Sequence, residues 1–159
     1  MTSPSRTIKV SDIELVRINP SHAHVLAALH QDGFDSPWTA QAFVDLLSQE
    51  TVTGWIAGKS EPVGFILIQT AAEESEILTL AVASSHRRCG IARKLVAQAL
   101  SESRDASVAI FHLEVAEVNT AAIALYQGAG FAPSGRRPNY YSKTGEAVDA
   151  ILMTKSLCP

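Results

Sequence analysis

The feature that most restricts this chain is the succession between residues 76 and 115: "EILTLAV", "ASSHRRCG", "IARKLVAQAL", then "SVAIFHLEV". The first run is a nearly continuous apolar, β-rich stretch and reads as a buried strand. Past the turn, Ile91, Ala92, Leu95, Val96, Ala99 and Leu100 recur at the spacing of one buried helical face. "SVAIFHLEV" is strand again. Two strands of one sheet joined through a helix run parallel, so this stretch predicts a β-α-β crossover. Glycine and adjacent arginines are poor core material, which leaves the turn at the surface, directly ahead of the helix N-terminus.

The flanking segments give the crossover its company. "IELVRI" (13–18) alternates like a half-buried strand, and "PSHAHVLAALHQDGF" opens with Pro and Ser and runs as helix to about Gly33. "SPWTAQAFVDLLSQE" is a second helix with Ala42, Phe43, Leu46 and Leu47 on its apolar stripe. "TVTGWIA" and "PVGFILIQT" form a hairpin across "GKSE". "NTAAIALYQGAG" is a helix capped by Asn119 and closed by Gly130. "FAPSGRR" and "AVDAILMTK" are two final strands around an irregular "PNYYSKTGE". The order β-α-α-β-β-β-α-β-α-β-β predicts a mixed sheet with helices on its faces. No repeat or linker divides the chain, and 159 residues suit one core, so residues 1–159 read as a single domain.

Composition excludes several classes. Charged residues are 18% and apolar residues 47%, an ordinary globular balance. With a formal net charge of −3 and no long basic face, nucleic acid is not an expected partner. No apolar run approaches the roughly 18 residues of a membrane helix, and "MTSPSRTIKV" lacks a secretory h-region, so the cytoplasm is the expected compartment. Cys89 and Cys158 stand alone, and a disulfide framework or a zinc site needs more sulfur, or histidines at ligand spacing, so no metal is expected.

A helix N-terminus carries unsatisfied N–H groups and about half a positive charge. Gly90 and Ala92 allow a bulky anion to approach, and Arg87, Arg88 and Arg93 stand around the mouth. "RRCGIA" alone reads equally as a pyrophosphate cradle or as a helix cap with solvated arginines. The chain has no G-K-[ST] and no G-x-G-x-x-G leading to an acidic strand end, which argues against Walker-type and dinucleotide sites.

Arg87-x-x-Gly90-x-Ala92 after "LTLAV" resembles the [QR]-x-x-G-x-[GA] signature of the GNAT N-acetyltransferase superfamily. "HLEVAEVNTAAIALYQGAGF" with "RRPNYYSKTGEAVDAILM" resembles, more narrowly, the RimI-type ribosomal-protein-alanine N-acetyltransferases, and the likeness is dense from about residue 76 to 154. The chain departs from the commoner family pattern at His86 and in "ASS" (83–85). The resemblance implies an α+β GNAT fold: a central mixed, mostly antiparallel sheet, helices on both faces, and the parallel crossover at the cofactor site. It implies acetyl-CoA as co-substrate and no metal. Leu80, Ala81 and Val82 would serve the pantetheine and thioester; Arg87, Arg88, Cys89, Gly90, Ile91, Ala92 and Arg93 would wrap the pyrophosphate; Asn119 would also touch the cofactor. Glu114 would be the general base and Tyr126 the general acid. Phe34, Trp38, Arg136, Arg137, Tyr140 and Tyr141 would flank the acceptor.

Each of these residues also has a plainer reading. Glu114 ends an apolar strand and equally suits a salt bridge; His112, on the same strand face, suits a hydrogen-bonded core histidine; Tyr126 suits a packed aromatic; Phe34 and Trp38 suit a core cap. An α-amino acceptor, with pKa near 8, gives up its proton at pH 7 for about 1 kcal/mol, whereas lysine at about 10.4 costs roughly 4–5 kcal/mol. One carboxylate suits the first task better. The expected partner is therefore a protein N-terminus, by resemblance the alanine of ribosomal protein bS18, with the enzyme a monomer or weak dimer. A lysine or small-amine acceptor, and a silent acyl-CoA-binding module, stand as alternatives.

Overall fold

The computed structural model describes residues 9–143 and 146–158. Thr144 and Gly145 of "PNYYSKTGE" lie outside the described residues, as do the first eight residues of the N-terminal stretch that lacks a secretory h-region. The element order matches the sequence reading: β1 (Leu15–Arg17), α1 (Ala23–Gly33), α2 (Ala40–Leu47), β2 (Val52–Ala57), β3 (Gly64–Ala71), β4 (Glu74–Val82), α3 (Ile91–Asp105), β5 (Ile110–Ala116), α4 (Thr120–Gly128), β6 (Ala132–Lys143) and β7 (Glu146–Ser156). Single 3-10 turns stand at Val10–Asp12, Pro20–His22 and Ser84–His86.

Local chemistry sets the helix starts. The Thr39 hydroxyl accepts the Ala42 N–H at 3.1 Å and begins α2. The Asn119 side chain accepts the Ala122 N–H at 3.2 Å and begins α4, which ends where Gly130 takes φ +96°. The segment expected to be irregular after Arg137 is strand instead. β6 continues past Pro138 because a bulge between Arg137 and Tyr141 removes that stretch from the ladder, where the missing proline N–H costs nothing.

The seven strands order as β1-β2-β3-β4-β5-β7-β6, and β4 with β5 is the parallel pair. On one face, α3 and α4 bury Ile91, Leu95, Val96, Ala99, Leu100 and Tyr126 against Ile66, Ile77, Phe111, Leu113 and Met153. On the other, α1 and α2 bury Leu26, Leu29 and Phe43 against Ile56, Phe65, Leu67 and Ala81. That second layer reaches β4 and stops, which leaves the β5-β7-β6 side of this face without a helix over it.

Two irregularities of β4 open the middle of the sheet. Its pairing with β5 ends at Glu76↔His112, so the β4 edge from Ile77 to Val82 and the β5 edge from Leu113 onward separate. A bulge also lies within it: Leu67 pairs Thr79 and Ile68 pairs Ile77, which leaves Leu78 as the extra residue. Leu78 and Thr79 consequently both face α1, while Ile77 and Leu80 face α3.

Candidate active site

The opening between β4 and β5 collects most of the residues singled out in the sequence. Leu80, Ala81 and Val82 pair with β3 on one side and have no strand partner on the other, where β5 has parted from them. At the head of the gap, the Ser84–His86 turn leads into Arg87, Arg88, Cys89 and Gly90, all exposed. Arg88 takes φ +62° and Gly90 φ +80°. For an arginine, that left-handed backbone costs about 1–2 kcal/mol, a strain that surrounding structure must hold. It turns the chain sharply into α3, whose first-turn amides, at Ile91, Ala92 and Arg93, have no intrahelical partner and no side-chain cap from Gly90.

The cations of the turn divide by task. The Arg87 Nε donates to the Val82 carbonyl at 3.3 Å, so this side chain braces the turn. Lys94 points away, its ammonium donating to the Val10 carbonyl at 3.1 Å and to the Ile13 carbonyl. Arg88 and Arg93 remain exposed, the Arg93 guanidinium reaching Gly128 at the end of α4, and Cys89 is an exposed thiol. Asp32, which the sequence did not single out, accepts the Ser84 N–H at 2.6 Å and fixes the turn to the end of α1. Hydrogen bonds from Ser84 hold its carboxyl below the usual range, with Arg87 adding to them.

Glu114 sits on the bare part of the α1 face, because Phe111, Leu113 and Val115 alternate with it into the other core. Its carboxylate meets the Arg137 guanidinium at 3.0 Å, and its side chain is 18% exposed against 55% for Arg137. An open cavity of about 210 Å³ there is lined by Glu76, His112, Glu114, Ser134, Arg137 and Thr154, among others. His112 is half-exposed rather than a core residue; its Nε2 is 3.6 Å from Glu74 and its Nδ1 3.4 Å from the Thr154 hydroxyl.

Tyr126 belongs to the opposite face. Its ring is 7% exposed and meets Phe131 edge-on at 5.9 Å. Burial, then the nearby Tyr141, pushes its phenol up to about 12. Tyr141 is itself raised by burial, then by the Glu114 charge, so it lies within electrostatic reach of both groups. Asn119, at the head of α4, uses its side-chain oxygen as the helix cap.

The acceptor-side residues separate into two groups. Arg136 is held by Glu117 at 2.6 Å and Asp149 at 2.7 Å, and Asp149 also accepts the Asn139 N–H at 2.9 Å. The guanidinium is thus part of a triad that fixes the β6 bulge. Arg137 instead lies 5.3 Å from the Tyr140 ring centroid, and Tyr140 meets Tyr141 edge-on at 5.0 Å. Phe34 and Trp38, in the segment after α1, both stack on His30, at 3.9 and 5.0 Å between ring centroids. Sequence reasoning missed His30 as well. Its place in α1 four residues before Phe34, in a stretch that also brings Trp38, was the available signal.

Among the described residues, no group of three or more His, Cys, Asp or Glu is placed to hold a metal. The model of a family described as Acetyltransferase (GNAT) matches residues 23–131, well over half of the 159. The [ribosomal protein bS18]-alanine N-acetyltransferase of Escherichia coli K12 is 31% identical over 117 residues, which cover 74% of this chain and 79% of that protein. The crystal structure of the ribosomal-protein-S18-alanine N-acetyltransferase from Escherichia coli matches with a TM-score of 0.87 at 26% identity, over 91% of this chain and 94% of that one. Arabidopsis thaliana NAA60 in complex with acetyl-CoA, 23% identical, shares the fold with a TM-score of 0.80 over 91% of this chain and 98% of that one. A strand pair that parts beside an amide-rich, arginine-lined helix start is thus found in a sequence matched over most of its length, and the chain belongs to the acetyltransferase (GNAT) family.

Proposed function

We propose that this acetyltransferase is an acetyl-CoA-dependent N-α-acetyltransferase, and that its acceptor is the N-terminal alanine of ribosomal protein bS18. One observation supports the reading: β4 and β5 part after His112, and beyond that point Glu114 lies on the α1 face of β5 while Tyr126 is buried in the core of the α3–α4 face. A base and a hydrogen-bond donor so placed can act on opposite sides of an acyl group lying between the strands. The named relative at 31% identity supports the choice of acceptor.

Acetyl-CoA, when bound, supplies the acetyl group as an activated thioester. The residues present fit it, since Arg88 and Gly90 both take left-handed backbone directly ahead of the α3 N-terminus, a conformation that suits an anion cradle. The amides of Ile91, Ala92 and Arg93, with the Arg88 and Arg93 guanidiniums and the Cys89–Gly90 backbone, take the diphosphate. Arg87 keeps the turn in shape from Val82. The free edge of Leu80, Ala81 and Val82 takes the amide groups of the pantetheine and the thioester carbonyl, and the Asn119 amide nitrogen adds a donor across the gap.

The Glu114 carboxylate removes the acceptor's proton, directly or through one water, and Arg137 moves off it as the acceptor ammonium arrives. The Tyr126 hydroxyl donates a hydrogen bond where thiolate charge develops. Phe34, Trp38, Tyr140 and Tyr141 wall the acceptor's path, and Arg136 shapes that wall through its two carboxylates. The enzyme works as a monomer or weak dimer in the cytoplasm, where ribosomal proteins are made.

The test is thiol release and mass spectrometry with two peptides. One begins with alanine and carries the bS18 N-terminal sequence; the other has a blocked N-terminus and an internal lysine. Acetylation of the first on its α-amine, with little on the second, is expected. Acetylation confined to lysine would overturn the acceptor assignment.

A further inference from the structure

We infer that His30 is a positioning residue for the acceptor side of this enzyme, clamping the Phe34–Trp38 wall to β4 through its two ring nitrogens. The inference rests on the reading that this wall flanks the acceptor.

The Nδ1 of His30 accepts the Trp38 backbone N–H at 3.0 Å, which requires the proton to sit on Nε2. The Nε2 then donates to the Thr79 hydroxyl at 3.2 Å. The ring is buried, at 1% exposure, and is enclosed by Phe34 at 3.9 Å, Trp38 at 5.0 Å, Phe43 at 5.6 Å and Phe65 at 6.4 Å. Thus neutral aromatic and hydroxyl groups from α2, β3 and β4 surround it. An imidazole so placed has both polar atoms satisfied and is held against turning, since a flipped ring would set its carbons against the Trp38 N–H and the Thr79 hydroxyl.

The position of the clamp gives it functional consequence. Thr79 faces α1 because Leu78 is bulged out of register; regular alternation would turn Thr79 toward α3 instead. The next residue, Leu80, begins the unpaired edge assigned to the acetyl donor. The clamp therefore joins the acceptor wall to a residue adjoining the donor strand. Two residues on, Asp32 joins the same turn of α1 to Ser84 of the anion turn. Phe34, 41% exposed, lies flat on the imidazole. Loss of the Nδ1 contact frees the Trp38 amide and loosens the loop after α1, while Asp32 still holds the donor turn.

The experiment compares His30→Leu, His30→Asn and Thr79→Val with wild type in steady-state kinetics, varying acetyl-CoA and acceptor separately. The acceptor is whichever peptide the wild type acetylates, Ala-initiated or lysine-bearing. Failure of the N-terminal reading, seen in wild type, is thereby distinct from failure of this inference. In His30→Leu the acceptor KM should rise tenfold or more while the acetyl-CoA KM stays within twofold. Asparagine offers an acceptor close to the Nδ1 position, so His30→Asn should recover acceptor KM to within about threefold of wild type. Should the leucine variant not fold, Thr79→Val decides, with a threefold or greater rise in acceptor KM alone expected. An unmoved acceptor KM, equal movement of both KM values, or His30→Asn no better than His30→Leu would each overturn the assignment.

Discussion

Tyr126 is buried beside Phe131, and its phenol is pushed up to about 12 by burial and by Tyr141. Full transfer of its proton to a thiolate of pKa near 8.5 would run uphill by about 3.5 units, or about 5 kcal/mol. The phenol therefore stays protonated throughout the working range and serves as a permanent hydrogen-bond donor. Tyr126→Phe keeps the ring and loses only the donor, so kcat should fall by roughly 10²–10³ while acetyl-CoA affinity, read by calorimetry, stays near wild type. Wild-type turnover in that variant would remove Tyr126 from the chemistry. At this scale, resemblance named Glu114 and Tyr126, and the neighbours explain what each is able to do. Their neighbours were not legible. Arg137 reaches Glu114 through the register of three strands, with Glu114 and Gly135 both opposite Leu152, and an irregularity sits on either side of Arg137. Adjacent arginines on a strand face opposite ways, and only the bulge decides which of Arg136 and Arg137 meets which carboxylate.

Helices were easier to read than strands because their starts are chemical. Asn119 and Thr39 cap α4 and α2 through side-chain oxygens, and the buried stripe of α3 follows its apolar spacing. The end of β6 was not legible, since Pro138 and Asn139 look like a break and the bulge absorbs them. The anion turn lies between these cases. Its glycine was plain in the sequence, but the left-handed Arg88 beside it was not. Gly90 at φ +80° has room for a side chain, whose Cβ would come no closer than 3.4 Å to Val10. Its requirement is conformational. A β-branched residue there is strained by about 1–2 kcal/mol, close to a tenfold change in an equilibrium constant. Gly90→Val should therefore weaken acetyl-CoA about tenfold by calorimetry, whereas Gly90→Asn, which tolerates the left-handed region, should lose much less. Equal affinity in wild type and Gly90→Val would show that the turn's backbone does not hold the cofactor.

Considered as a whole, the molecule is a sheet whose two faces are covered unequally, and α1 is the element that ties the helix layer of one face to the β4–β5 gap. The burial of His30 in that tie has a global consequence for stability. Burial lowers its pKa from 6.5 to about 4 in the folded chain. The unfolded chain takes up the proton below about 6.5, whereas the folded chain refuses it until about pH 4. More protons are bound unfolded than folded within that window, so stability falls as pH drops through it. The contribution is fully present above 6.5 and levels off below about 4, and a shift of this size amounts to about 3 kcal/mol. Asp32 and Asp149, whose carboxyls are held low by Ser84 and Arg136, lose their share at lower pH still, as it falls below the ordinary carboxylate range. The two losses separate in urea titrations at fixed pH values from 7.5 to 4.5. The wild-type midpoint should drop across that range, and the drop should be much smaller in His30→Asn, which has no ionisable side chain at position 30. Parallel curves for the two proteins would mean that the imidazole accepts a proton without leaving its place, and that the aromatic enclosure around it opens more readily than its packing implies.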